Sequence, residues 1–112
     1  MANYEHARRY PRFALDISVR VFPDGGQRAD GRGHDFGLGG MALYVALDLA
    51  LGDKIRLDFV LPYSRAPLSL DAVVRNRQGF RYGVEFVQLS PETEQELRRA
   101  TSILELTAAS SE

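Results

Sequence analysis

Apolar and polar positions alternate along most of this chain with a period of two. Phe13, Leu15, Ile17, Val19 and Val21 are separated by smaller or polar residues, the pattern of a half-buried strand. Pro23-Asp24-Gly25-Gly26 ends that run with turn chemistry, and a second strand is predicted over residues 28–36. Glycines at 37, 39 and 40 make the next turn, after which Met41–Ala46 returns as a third strand. Gly52-Asp53 opens a fourth element, where Ile55, Leu57, Phe59 and Leu61 alternate with Lys54, Arg56 and Asp58. A loop over Pro62–Pro67 separates it from the run Leu68, Leu70, Ala72 and Val74. Gln78-Gly79 then turns the chain into Phe80, Tyr82, Val84 and Phe86. Short strands at regular intervals predict a barrel or sandwich, and without long connections for crossover helices the pairing is antiparallel.

The period changes after Ser90. Ser90-Pro91-Glu92 supplies a capping hydroxyl, a proline for the first helical position and an acid for the first turn. Leu97, Ala100 or Thr101, and Leu104 recur at helical spacing, predicting a helix from 91 to about 106 whose apolar face plugs the sheet. Residues 1–7 read as a flexible lead-in, and Thr107–Glu112, small and polar, as a frayed tail. One domain is expected over residues 8–106.

Composition narrows the class. A chain of 112 residues supports one modest core, and 45% apolar against 26% charged residues is the balance of a globular protein. No apolar run approaches the ~18 residues of a membrane-spanning helix, so membrane insertion is not expected. Met1-Ala2-Asn3-Tyr4-Glu5-His6 lacks the basic-then-apolar layout of a secretory leader, and there is no cysteine for a disulfide or a thiolate. A cytoplasmic location is the simplest expectation. A net charge of −1 argues against a general DNA or RNA binder, which usually carries a strong basic excess.

The candidate chemistry lies in two short segments, Arg8-Arg9-Tyr10-Pro11-Arg12 and Asp35-Phe36-Gly37-Leu38-Gly39-Gly40. Pro11 biases Tyr10 away from helical angles, so the first segment is an extended arm rather than a helix face. Four extended steps set Arg8 and Arg12 roughly 13 Å apart at Cα, a span that grips one nucleotide-sized ligand from two sides. A guanidinium fork matches phosphate oxygens and also the N7 and O6 acceptors of guanine. A nearby carboxylate accepts from the donor edge of the same base. Arginine pair and carboxylate together suggest a guanine nucleotide.

These residues resemble the signature of the PilZ domain family, R-x-x-x-R followed after a few tens of residues by [D/N]-x-S-x-x-G. The first half is a full match, and the second keeps Asp35 and Gly40 but has Gly37 in the serine slot. Phe80-Arg81-Tyr82-Gly83-Val84-Glu85-Phe86 also looks like the family's late strand. The resemblance covers roughly residues 7–100. It implies a six-stranded antiparallel PilZ-type β-barrel with a C-terminal α-helix that binds cyclic di-GMP, without catalysis and without a further cofactor. Arg8 and Arg12 would engage phosphates and guanine edges, Arg9 would add a phosphate contact, and Asp35 would accept from guanine N–H groups. Gly37 would keep only its backbone N–H as a donor, and Gly40 would let the backbone approach the ligand. Losing one neutral hydroxyl bond near 1 kcal/mol weakens affinity about fivefold. An arm that orders on binding would change the outer surface, and with no output domain attached the signal would pass to an unidentified protein partner. The alternative within the family is an adaptor that binds no nucleotide and acts only by protein–protein contact.

Other features are weaker signals. His34, beside Asp35, is a strand-end surface histidine that can line the ligand site. Arg75 and Arg77 share one side of their strand, and with Arg81 they form a second basic cluster that is either a solvated face or a neighbour of the ligand. Tyr10, Tyr44, Tyr63 and Tyr82 read as core or rim aromatics. Asp35-Phe36-Gly37 spells a kinase metal-binding tripeptide, but no catalytic loop accompanies it and no phosphate-binding G-x-x-x-x-G-K-[ST] loop is present. Two histidines and no cysteine leave a structural zinc site almost without ligands.

Overall fold

A computed structural model describes residues 10–64 and 66–110, so the lead-in at 1–7, Arg8 and Arg9 lie outside the described residues. The strands in chain order are β1 (Arg12–Pro23), β2 (Ala29–Gly37), β3 (Gly40–Val45), β4 (Lys54–Phe59), β5 (Leu68–Gln78) and β6 (Arg81–Val87), followed by helix α1 (Pro91–Ser110). Every pairing is antiparallel, and the sheet closes on itself in the order β1-β2-β3-β6-β5-β4. The expected six-stranded antiparallel barrel with a C-terminal helix is the fold found.

Period-two alternation builds this barrel because successive side chains point to opposite faces. Val19 and Val21 of β1, Ile55, Leu57 and Phe59 of β4, Leu70, Ala72 and Val74 of β5, and Tyr82 and Val84 of β6 all point inward and are buried. Phe36, Phe59 and Phe86 meet inside with ring centroids 6.1, 5.9 and 6.3 Å apart. Such spacing suits tilted and edge-on aromatic packing. Tyr82 is fully buried, and its hydroxyl accepts from Leu49 N–H at 3.0 Å while donating to the Leu47 carbonyl, so the phenol pins the β3–β4 connection. Phe80, expected to point inward, falls in the β5–β6 turn and is 56% exposed.

Helix α1 contributes Leu97 and Ala100 to the same core. Burying a leucine side chain of this kind stabilises by about 1.5–3 kcal/mol. Its start is capped as predicted: Ser90 Oγ accepts from Thr93 N–H at 3.1 Å. Its end differs, since the helix runs to Ser110 rather than stopping near 106. Thr107-Ala108-Ala109 contains neither glycine nor proline, and alanine is the strongest helix former, so no residue stops the helix there. No helix among the described residues is long and apolar enough to cross a membrane.

Two irregularities interrupt the ladder. Between Phe13 and Asp16 the β1–β2 register shifts by one, leaving Ala14 and Leu15 opposite Asp35. Between Val74 and Asn76 the β5–β6 register shifts by one, leaving Arg75 as the extra residue. Both are β-bulges, which kink a strand and re-aim side chains.

Candidate ligand-binding site

The two predicted segments meet where β1 begins and β2 ends. Arg12 is the first residue of β1 and pairs in register with Gly37, the last residue of β2. Its Nε donates to the Asp35 carbonyl oxygen at 2.7 Å. Asp35 faces the β1 bulge with φ at 48°, in the left-handed region that aspartate tolerates better than most residues. This geometry turns its carboxylate out of the ladder, where it is 55% exposed and lies 3.5 Å from Nη2 of Arg81. Two guanidinium groups thus reach Asp35, one at its carbonyl and one at its carboxylate.

Arg81 enters by a non-local route. It opens β6 and pairs in register with Tyr44 of β3, donating from Nε to the Tyr44 hydroxyl at 3.0 Å. Tyr44 in turn meets the His34 ring edge-on, with centroids 5.0 Å apart. His34 Nε2 lies 3.3 Å from Asp16 Oδ1, and the same carboxylate oxygen accepts from Arg32 Nε at 2.9 Å. Arg32 also donates to Ser18 Oγ at 2.7 Å. Asp16–His34, Ser18–Arg32, Arg32–Tyr44 and Tyr44–Arg81 are register partners, so these side chains share the outward face of β1, β2, β3 and β6. An open trough of about 1020 Å³ starts at Arg32 and Tyr44 and runs across β1 to Val60, with Arg20 and Asp30 on its sides. Its size is in the range of small-molecule sites.

The two motif glycines have different reasons to be glycine. Neither needs a positive φ, so neither is required by backbone conformation. At Gly40 a Cβ would stand 2.1 Å from the Val84 carbonyl oxygen, so the bare backbone lets β3 approach β6. That packing demand is a reason for glycine at this position that needs no ligand. At Gly37 a Cβ would stand 2.8 Å from Cδ of Arg12 and 2.9 Å from the Pro11 carbonyl oxygen. The space beside Gly37 is taken up by the arm itself.

Arg75 and Arg77 are not on one face, and the bulge is the reason. Arg77 pairs with buried Tyr82, sits 5.2 Å over its ring and donates to the Leu49 carbonyl at 3.0 Å. A hydrogen bond to Asp48 raises its pKa above the ordinary arginine value. Arg75 instead donates to Glu85 on the other face, Nε to Oε1 at 2.7 Å. Both are committed to holding strands and loops, and Arg81 is the member of that basic cluster that joins Asp35. Arg12, His34, Asp35 and Gly37 come together, while Arg8 and Arg9 lie outside the described residues.

Asp16 and Arg32 are not singled out by sequence reading, Tyr44 reads there only as a core or rim aromatic, and Arg81 only as part of the late strand and the second basic cluster. For Arg81 the available signal is its place at the start of the late strand, but its partner Tyr44 depends on β3 pairing with β6, two strands adjacent in space and distant in sequence. Tyr10, with Leu38 and Arg98, lines two small clefts between the arm, the β2–β3 turn and α1. Among the described residues no group of three or more acidic, histidine or cysteine side chains forms a metal site.

A small closed barrel with an arginine-flanked carboxylate on its outer face is the class defined by fold and geometry. Family comparison makes this specific, because the PilZ domain family matches residues 6–102 and the chain belongs to it. Among curated proteins none matches. The solved structures it resembles include the PilZ domain of CeSA from a cellulose-synthesizing bacterium, at 23% identity and a TM-score of 0.67, covering 84% of this chain and 97% of that one. The PilZ domain of YcgR from Escherichia coli, solved with c-di-GMP, aligns at 21% identity and 0.72, covering 93% and 95%. The Bacillus subtilis inhibitor of motility MotI/DgrA aligns at 20% identity and 0.73, covering 89% of this chain and 51% of that one.

Proposed function

We propose that this chain is a non-enzymatic receptor for cyclic di-GMP that passes the signal to a protein partner. The observation that carries the reading is the convergence of Arg12 and Arg81 on Asp35, directly after an arm that carries Arg8 and Arg9. Arginine forks suit the phosphates and the acceptor edge of guanine, and the Asp35 carboxylate suits the guanine N–H donors. Membership of a family that includes a c-di-GMP-bound relative supports the same ligand. Arg8, Arg12 and Arg81 hold the ligand in this reading, Arg9 adds a phosphate contact, and His34 lines the rim. The cytoplasm is the compartment it fits.

Calorimetric titration with cyclic di-GMP tests it. Saturable binding is expected in the wild type and loss of it in an Arg8→Ala/Arg12→Ala double variant. Arg81→Ala is expected to weaken binding by roughly tenfold or more, the equivalent of one charge-assisted hydrogen bond. A mixed oligonucleotide should produce no salt-sensitive binding. One observation favours the second reading, an adaptor acting through protein contact alone: Arg12 lies across Gly37, where the family signature has serine. Silence of a folded wild type in the titration selects that reading.

A further inference from the structure

We infer that Gly37 sets ligand affinity sterically, by admitting a closed arm in which Arg12 is docked on the end of β2 and competes with ligand for it. This rests on the receptor reading above for its ligand, though the docked arm itself does not. Gly37 has an ordinary φ, so any residue satisfies its backbone, and what it provides is the missing Cβ. Cδ of Arg12 at 2.8 Å and the Pro11 carbonyl at 2.9 Å from that Cβ position are both closer than a real side chain allows. With the arm packed there, Arg12 Nε is spent on the Asp35 carbonyl at 2.7 Å. A serine or alanine at 37 cannot coexist with this placement: the Arg12 side chain must swing away, and the Pro11 backbone must also lift from the end of β2. The glycine therefore does more than omit a hydroxyl. It allows an arginine needed by the ligand to be held by the protein's own backbone, and the ligand must displace that contact before Arg12 can serve it.

Two substitutions separate the missing hydroxyl from the docked arm. Gly37→Ala adds only the obstructing Cβ, while Gly37→Ser adds the Cβ and a hydroxyl. The docked arm predicts that Gly37→Ala alone tightens cyclic di-GMP binding about fivefold, the equivalent of removing one competing hydrogen bond. A missing hydroxyl predicts tightening in Gly37→Ser only, and that result overturns the proposal, as does weakening in both. A second readout is independent of ligand. The Arg12 Nε–H resonance, identified by its loss in Arg12→Lys, should be protected from solvent exchange in the wild type before ligand is added and exposed in Gly37→Ala. Equal exchange in the two proteins sinks the docked arm whatever the titration gives. If no variant binds cyclic di-GMP yet this resonance is released by alanine, the docked arm stands and the receptor reading fails. Should both substitutions prevent folding, the wild-type resonance decides alone: rapid exchange there refutes the contact.

Discussion

At Gly40 the arriving atom is a backbone oxygen, and that distinguishes it from Gly37. The Val84 carbonyl 2.1 Å from a would-be Cβ belongs to the neighbouring strand and cannot rotate aside. Gly40→Ala must part β3 from β6 locally, and overpacking of this kind destabilises by about 1–3 kcal/mol or more. Urea unfolding is expected to show a lowered midpoint. An unchanged midpoint with lost ligand affinity would return this glycine to a ligand-facing role. Resemblance to a family motif locates both glycines without distinguishing these roles, because the distinction depends on which atom fills the space beside each. The same limit applies to Asp35. Its acid is legible in the sequence, whereas the backbone turn that frees its carboxylate depends on the β1 bulge opposite it.

Strands and helix are legible wherever the apolar period continues unbroken. β4 alternates from Ile55 to Phe59 and folds as it reads. Alternation misleads at Phe80, since two residues of the β5–β6 turn, Gly79 and Phe80, interrupt the ladder just where the pattern continues in sequence. It also misleads at Arg75 and Arg77, because one extra residue changes the face without changing the apolar count. At the helix the start signal is local and complete, while the end has no signal at all. Ser90→Ala is expected to cost about 1 kcal/mol by orphaning the Thr93 N–H. A correspondingly lower melting temperature with unchanged ligand affinity would assign Ser90 to the helix alone, and a loss of affinity would show that α1 bears on the site.

Over the whole molecule, closure of the sheet separates a rigid part from a responsive one. Strands β4 and β5 are paired across Lys54–Val73 to Phe59–Leu68 and contribute no residue to the Asp35 cluster. Ligand should therefore slow amide exchange chiefly in residues 10–16 and 33–40 and around Arg81, with β4 nearly unchanged, when exchange is followed by mass spectrometry. Protection spread evenly around the barrel would mean that binding stabilises the fold globally rather than acting where the arm meets the end of β2. Folding brings β3 beside β6 and β1 beside β4, pairings that no local window of the chain contains. Periodicity alone therefore leaves barrel and sandwich both open, and the family resemblance is what selects the barrel.

The β5 bulge bears on how the chain tolerates changes in its length. Removing Arg75 would leave Asn76 opposite Gly83 and Arg77 opposite Tyr82, and Val74 opposite Val84, so the pairs on both sides survive. What is lost is the counter-charge of Glu85, which is only 8% exposed. Removing Arg56 from unbulged β4 would instead turn one half of that strand inside out relative to the other. A one-codon deletion is thus survivable at Arg75 and ruinous at Arg56, although both are arginines on the outer wall of the same barrel.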